Sequence, residues 1–142
     1  MNEAVRVEDR ALSEVETIRV LIADDHSLVR TGLKLFLRAF HELDLVGEAG
    51  SGEEAVQLCA GTEVDVVLMD LKMPGMGGIA AIQAIRARCP QTRVIALTNV
   101  QEVDMVQGAL RAGATGYLIK NVTADELAAA IRAAKAGRSI LA

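Results

Sequence analysis

The chain alternates short apolar runs with longer stretches in which apolar residues recur at helical spacing. Positions Leu33, Phe36, Leu37 and Phe40 illustrate that spacing, which is typical of an amphipathic helix. The apolar runs are rich in Val, Ile and Leu, and they predict five strands, at residues 18–24, 43–49, 64–70, 94–98 and 115–119.

The predicted strands are almost continuously apolar, without the polar alternation of a half-exposed sheet. Such strands indicate a parallel sheet that helices cover on both faces. Turn residues between the segments agree with this alternation, because Gly50-Ser51-Gly52 leads into the second helix and Gly113 ends the fourth. The last helix is expected from Ala124 to about Lys135, with Gly137 beyond it. The sequence therefore predicts a doubly wound α/β domain with five strands and five helices.

Polar residues follow directly on four of the five predicted strands. Right-handed crossovers place the carboxyl ends of parallel strands on one edge of the sheet, where ligands bind in such folds. We therefore expect five side chains to converge there: Asp24, Asp25, Asp70, Thr98 and Lys120.

Three neighbouring carboxylates repel one another unless a cation lies among them. Hard oxygen ligands without sulfur or imidazole suit Mg²⁺, which also accepts a phosphate oxygen. A hydroxyl and an ammonium group opposite the metal could hold the other oxygens of a phosphoryl group. A single strand-end aspartate is more often a turn residue or helix cap, but that explanation does not account for the convergence of all five residues.

Composition and charge narrow the class of protein. The 142 residues fit one domain, and the net charge of −4 disfavours direct binding to nucleic acid. Residues 1–17 carry five acidic and two basic side chains, a net charge of −3, and are expected to form a flexible acidic extension. No signal peptide or membrane span is evident, so a cytoplasmic protein is expected. Cys59 and Cys89 lack metal-ligand spacing and are expected to be reduced, partly buried residues.

Four motifs, in order along the chain, carry a resemblance to a known family. They are VLIADDH at residues 20–26, VVLMDLKMPGM at 66–76, ALT at 96–98 and GATGYLIK at 113–120. Together they resemble the receiver domain of two-component response regulators, most closely the NarL/FixJ (LuxR-type) family. The resemblance covers residues 18–138 and implies a flavodoxin-like, CheY-like fold with strand order 2-1-3-4-5. Residues 139–142 then resemble the start of a linker to an output domain.

The resemblance implies a role for each acidic position. Asp70 matches the phosphoacceptor that takes a phosphoryl group from the phosphohistidine of a sensor histidine kinase. Asp25 matches the direct ligand of the Mg²⁺ cofactor, and Asp24 matches the neighbour that usually acts through water. Lys72 matches the residue whose backbone carbonyl binds the metal. In this family the histidine that follows the acidic pair, here His26, is a turn residue rather than a phosphate acceptor.

Three further positions match the parts that transmit the signal. Thr98 matches the switch hydroxyl, which moves toward the phosphoryl oxygens, and Tyr117 matches the switch aromatic, which turns inward as it does so. Lys120 matches the ammonium that pairs with the phosphoryl group. The resemblance implies that phosphorylation alters the surface formed by the fourth helix, the fifth strand and the fifth helix.

The expected protein is a phosphorylation-activated switch rather than an enzyme in the usual sense, since it catalyses only its own phosphorylation and slow dephosphorylation. Its partners are a histidine kinase, a second copy of the chain upon phosphorylation, and DNA only through an output domain. Three alternatives stay open: a stand-alone receiver in a phosphorelay, a phosphate-independent pseudo-receiver, and a Mg²⁺-dependent aspartyl-phosphate phosphatase. The phosphatase is disfavoured because its general acid would fall at Lys72.

Overall fold

The computed structural model describes residues 17–138 and the backbone of 140–141. The strands are β1 Ile18–Ala23, β2 Leu43–Ala49, β3 Val66–Asp70, β4 Arg93–Thr98, β5 Gly116–Ile119 and β6 Ile140–Leu141. The helices are α1 Ser27–Arg38, α2 Gly52–Gly61, α3 Gly77–Arg88, α4 Val106–Ala112 and α5 Ala124–Lys135. A 3-10 helix, Val100–Met105, precedes α4. The predicted acidic extension, apart from its last residue, lies outside the described residues.

The strands form one parallel sheet in the order β2-β1-β3-β4-β5-β6. This confirms the predicted order of the first five strands. The difference is the sixth strand, which pairs Ile140 with Gly116 and Leu141 with Tyr117 at the edge of β5. This strand was not predicted, because two residues are too few for a periodic pattern.

Two apolar cores lie on the two faces of the sheet, as expected for a doubly wound domain. On one face, α2, α3 and α4 pack against residues such as Leu21, Val67 and Ala96. On the other, α1 and α5 pack against residues such as Val20, Leu68 and Ile95. Because the central strands are covered on both faces, most of their side chains are apolar. Asp70 and Thr98 end β3 and β4, and Asp24 follows β1.

Side-chain hydrogen bonds cap the N-termini of α2 and α5, and a glycine ends α4 as predicted. Ser51 caps α2 by accepting a hydrogen bond from the backbone of Glu54, and Thr123 with Glu126 forms a reciprocal capping box on α5. Gly113 ends α4 with a φ of 118°, a left-handed conformation that favours glycine. The N-caps of α2 and α5 fix where these two helices begin after the loops at the carboxyl edge of the sheet.

The cysteines agree with their sequence-based interpretation. Both are free thiols, Cys59 buried in α2 and Cys89 half-buried at the end of α3. Burial, together with the neighbouring Cys89, raises the pKa of the Cys59 thiol to about 12. Cys59 is therefore a protonated core residue at neutral pH.

Candidate functional site

The strand register brings the predicted polar residues to one edge of the sheet. Ala23 lies opposite Met69, so Asp24 follows β1 beside the end of β3, where Asp70 is the last residue. Thr98 ends β4 opposite Ile119, and Lys120 comes next in the chain. A hydrogen bond of 2.9 Å from the backbone N–H of Lys120 to the carbonyl of Thr98 joins these two strand ends.

Two carboxylates and one ammonium group form the centre of this site. Asp24 and Asp70 are 0% and 1% exposed, an unusual degree of burial for ionisable residues. The Nζ atom of Lys120 lies 3.0 Å from Oδ2 of Asp24 and 3.1 Å from Oδ1 of Asp70. One ammonium group therefore forms ion pairs with two buried carboxylates.

The excess of negative charge changes the proton affinity of both partners. Burial, and then repulsion by Asp24, raises the pKa of Asp70 above its usual value, although Lys120 opposes this rise. Burial acts to lower the pKa of Lys120, but the two carboxylates outweigh it and the pKa lies above its usual value. Lys120 is therefore charged at neutral pH, and Asp70 occupies a position that disfavours its negative charge.

Buried carboxylate oxygens in this cluster are available to bind a cation. Within the described residues, Oδ2 of Asp70 has no hydrogen-bond partner, and Oδ2 of Asp24 has only its ion-pair contact with Lys120. Asp24, Asp25, His26 and Asp70 each place a ligand atom within 4.8 Å of the others. Carboxylate oxygens are the ligands that Mg²⁺ prefers, so the three aspartates of this set fit the predicted metal, and the imidazole of His26 is a donor that the sequence analysis did not include.

The loop after β3 is built around Asp70. Oδ1 of Asp70 accepts a hydrogen bond of 3.2 Å from the backbone N–H of Lys72. Gly78 at the start of α3 lies so close that a Cβ atom there would fall 2.3 Å from the carbonyl oxygen of Asp70. Only glycine allows this approach, and it holds the carboxyl end of β3 against the first turn of α3.

The ammonium group of Lys72 has its ion-pair contact with the 3-10 helix after β4. Its Nζ atom lies 3.9 Å from Oε1 of Glu102 in the 3-10 helix, and the side chain is 74% exposed. Oε2 of Glu102 is buried and has no hydrogen-bond partner in the described part of the chain. This long ion pair spans the loops that follow β3 and β4, so the ammonium of Lys72 is separate from the ammonium of Lys120 in the site.

Thr98 and Tyr117, to which the resemblance assigns switch roles, lie on the neighbouring strands β4 and β5. Thr98 is fully buried, and its hydroxyl donates to the carbonyl of Asn99 at 3.1 Å rather than to either aspartate. Tyr117 on β5 is half-buried and packs against the core under α2, α3 and α4. An open cavity of about 290 Å³ lies between these strand ends and is lined by Asn99, Val100, Ile119, Lys120 and Asn121.

Two site residues carry contacts that sequence reasoning missed. Nδ1 of His26 lies 3.0 Å from Oδ1 of Asp24 and 3.1 Å from Oδ1 of Asp25. Arg30 on α1 donates to the carbonyl of Asp24 at 2.6 Å and to Glu48 on β2 at 3.2 Å. The contacts of His26 could have been predicted from its position directly after the acidic pair. Nothing in the sequence distinguishes Arg30 from an ordinary exposed residue of a helix.

Comparison with known proteins identifies the family. Residues 20–132 match the response regulator receiver domain family, and the chain belongs to it. LiaR, a transcriptional regulatory protein of Bacillus subtilis, is 45% identical over 120 residues, which cover 84% of this chain and 57% of LiaR. The chain thus spans a little over half the length of such curated relatives.

Solved structures agree with the fold. The signal receiver domain of NarL from Mycobacterium tuberculosis superposes with a TM-score of 0.81 at 36% identity, covering 86% of this chain and 98% of that one. The isolated receiver domain of RcsB from Salmonella enterica, solved with phosphomimetic BeF₃⁻, gives 0.78 at 26% identity and covers 89% and 94%. A structure of two RcsB dimers bound to DNA gives 0.79 at 26% identity and covers 89% and 64%. The chain is a response regulator receiver domain of the NarL/FixJ type.

The described residues contain no helix that is long and apolar enough to cross a membrane.

Proposed function

We propose that Asp70 is the phosphoacceptor of a phosphorylation-activated switch. The single observation that carries this proposal is the Oδ2 atom of Asp70, which is buried at the end of the central strand and has no hydrogen-bond partner among the described residues. The other oxygen is held by Lys120 and by the backbone of Lys72. One oxygen is thus fixed while the other is left available for bond formation.

The proposed reaction is transfer of a phosphoryl group from the phosphohistidine of a sensor histidine kinase. A bond forms between phosphorus and Oδ2 of Asp70 as the phosphorus–nitrogen bond breaks, and the electron pair leaves with the imidazole of the kinase. Lys120 stays within reach of the transferred oxygens and offsets their charge. The chain supplies the acceptor and positions it, whereas the donor supplies the activated phosphoryl group.

The residues that would hold Mg²⁺ are Asp24, Asp25, Asp70 and the backbone carbonyl of Lys72. When bound, the ion neutralises charge that accumulates on the phosphoryl oxygens. Burial of Asp24 and Asp70 with a shared ammonium leaves net negative charge in the pocket, which favours such a cation. Arg30 fixes the backbone of Asp24 and thereby the direction of the acidic pair.

Thr98 and Tyr117 are proposed to convert phosphorylation into a change of surface. The Thr98 hydroxyl donates to a backbone carbonyl at present, and phosphoryl oxygens at Asp70 would offer it a charged acceptor. Movement of Thr98 frees space toward which the half-buried Tyr117 ring turns. The surface formed by α4, β5 and α5 is then biased toward a second arrangement.

The whole protein is proposed to regulate transcription. LiaR carries that description, and RcsB is bound to DNA as a dimer in its structure. Residues 139–142 are proposed to begin a linker to a DNA-binding LuxR-type output domain, following a receiver domain at 18–138. The net charge of −4 agrees with contact to DNA through such a domain rather than through this one. Phosphorylation is proposed to promote a homodimer.

Intact mass after incubation with Mg²⁺ and acetyl phosphate tests the proposed acceptor. We expect the parent chain to gain one phosphoryl mass and Asp70→Asn to gain none. Asp44→Asn, at an exposed position on β2, is the matched control and should gain the same mass as the parent. Hydroxylamine should remove the added mass, because an acyl phosphate is cleaved by this nucleophile. No gain by a folded, Mg²⁺-binding parent would favour a phosphate-independent module instead.

A further inference from the structure

The proposed Mg²⁺ site and the proposed phosphoryl transfer do not use the side chain of His26. Its backbone N–H donates to Oδ1 of Asp24 at 2.9 Å, so the residue stays at the acidic cluster whatever its ring does. The ring atom Nδ1 lies 3.0 Å from Oδ1 of Asp24 and 3.1 Å from Oδ1 of Asp25. The side chain of His26 is 62% exposed.

The spacing of these atoms suits ligands that share one ion. Adjacent ligands of an octahedral ion with bonds of about 2.1 Å are about 3.0 Å apart. The contacts of Nδ1 with the two carboxylates have this spacing, and the cluster of Asp24, Asp25, His26 and Asp70 lies within 4.8 Å. The buried, unpartnered Oδ2 of Asp70 is an independent sign that this cluster takes a ligand.

We propose that His26 is a nitrogen ligand in this site and shifts its metal selectivity toward divalent transition ions. Mn²⁺, Co²⁺ and Ni²⁺ accept imidazole readily, whereas Mg²⁺ strongly prefers oxygen. In a site made of carboxylates alone, the affinity for the transition ions exceeds the affinity for Mg²⁺ by a smaller factor. The proposal rests on the metal site proposed above and adds a donor to it.

A competing structural explanation predicts a different response. If Nδ1–H only donates hydrogen bonds to the two carboxylates, His26 orients them for any cation. Removing the ring would then lower the affinities for Mg²⁺ and Ni²⁺ by the same factor. As a ligand, the ring contributes to Ni²⁺ and hardly at all to Mg²⁺, so the ratio of the two affinities separates the explanations.

Calorimetric titration of Mg²⁺, Mn²⁺ and Ni²⁺ into the parent, His26→Ala and His26→Asn measures this ratio. We expect His26→Ala to weaken Ni²⁺ about 10-fold or more and Mg²⁺ by less than about 3-fold. His26→Asn, which keeps a hydrogen-bond donor near the place of Nδ1, should restore Mg²⁺ affinity but not Ni²⁺ affinity. Equal losses for Mg²⁺ and Ni²⁺ in His26→Ala would overturn the proposal.

Pulsed electron paramagnetic resonance of the Mn²⁺ complex supplies a direct signature. We expect modulation from an imidazole ¹⁴N nucleus in the parent and none in His26→Ala, at a fixed pH of about 7.5 where an ordinary imidazole is neutral. The chain has two histidines, and His41→Ala is the matched control because its exposed ring should leave the signal unchanged. Persistence of the nitrogen signal in His26→Ala would also overturn the proposal.

The same titrations separate failure of this inference from failure of the proposed function. A parent that binds Mg²⁺ but shows no nitrogen coupling contradicts the role of His26 alone. A parent that binds none of the three ions contradicts both the ligand role and the Mg²⁺-dependent reaction. Nitrogen coupling in a chain that gains no phosphoryl mass would support His26 and contradict the proposed function.

Discussion

Acidic residues at the two ends of the same sheet have opposite surroundings. At the amino-terminal edge, Asp65 accepts from the backbone N–H of Arg19 at 2.8 Å and from Lys135 at 2.7 Å. At the carboxyl-terminal edge, Asp24 and Asp70 share Lys120, and Oδ2 of Asp70 has no hydrogen-bond partner among the described residues. At the first edge Asp65 is paired with a base of its own, whereas at the second edge two buried acids share one base.

The contrast shows that the two edges serve different purposes. The last turn of α5 carries Arg132 and Lys135, whose positive charges favour a helix C-terminus and also reach Glu42 and Asp65 at the strand starts. These pairs tie the helix to the sheet. The two buried carboxylates at the other edge share one ammonium group, and the remaining excess of negative charge has a cost that a bound cation would offset.

The largest expected effect comes from Gly78, on which the geometry of the carboxyl edge depends. In Gly78→Ala, the new Cβ would meet the carbonyl of Asp70 at 2.3 Å, so α3 or the end of β3 must shift. We expect the free energy of unfolding to fall by about 3 kcal/mol, measured by urea denaturation. Gly32→Ala is the control, since nothing lies within 4 Å of its Cβ, and it should stabilise α1 by about 0.5 kcal/mol.

A smaller loss is expected at the amino-terminal edge. Asp65→Ala removes both the acceptor of the Arg19 N–H and the partner of Lys135, and should lower the free energy of unfolding by about 2 kcal/mol. Asp44→Ala, at an exposed position on β2, should change it by less than about 0.5 kcal/mol. Similar values for both variants in chemical denaturation would mean that the pairing at this edge contributes no stability.

Sequence patterns predicted the carboxyl edge well, because parallel topology alone determines which strand ends meet. Asp24, Asp70, Thr98 and Lys120 each follow or end an apolar run, and their convergence needs no knowledge of loop conformation. The five predicted strands each begin and end within two residues of those observed. Continuous burial on both faces produced a strong signal in these segments.

Contacts that depend on side-chain direction or on short segments could not be predicted. The hydroxyl of Thr98 donates to Asn99 rather than into the site, and Lys72 reaches Glu102, both outcomes of local rotamer choice. The segment between β4 and α4 forms the 3-10 helix Val100–Met105, with Glu102 at a non-helical φ of −114°. No apolar period marks this segment, and partners such as Asp65 and Lys135 are 70 residues apart.

The comparison of the edges also predicts a variant that stabilises the protein. Asp70→Asn removes one of two like charges that share Lys120, and should raise the free energy of unfolding by about 1 kcal/mol at neutral pH without metal. Because the folded pKa of Asp70 is raised, chiefly by burial, its charge is costly above that pKa. The advantage of the variant should disappear as pH falls through the folded pKa toward the unfolded value.

Mg²⁺ provides the control for this variant. Saturating Mg²⁺ should stabilise the parent more than Asp70→Asn, since the ion neutralises the charge that the substitution removes. Thermal denaturation of both chains with Mg²⁺ and with chelator measures this interaction. A variant less stable than the parent in chelator would mean that Lys120 already compensates Asp70 fully.

The smallest effect is expected for Glu42. Its carboxylate stabilises the folded protein, whereas the charge of Asp70 destabilises it. The hydrogen bond from Arg132, followed by a backbone hydrogen bond, holds the pKa of Glu42 below its usual value. Its contribution is therefore present above the unfolded pKa and is lost as pH falls through the folded pKa. We expect Glu42→Gln to lower the free energy of unfolding by about 0.5 kcal/mol at neutral pH, because solvent screens the pair.

A double-mutant cycle isolates the pair, since Arg132 also lies 5.3 Å from the ring centre of Phe40. Glu42→Gln, Arg132→Gln and the double variant should give a coupling energy of about 0.5 kcal/mol that vanishes in high salt or at acid pH. The Asp70→Asn gain should instead shrink with acid while depending much less on salt, because the Asp70 charge is buried. If the Glu42–Arg132 coupling energy and the stability gain of Asp70→Asn depended equally on salt, the charges at the two edges would not differ in their exposure to solvent.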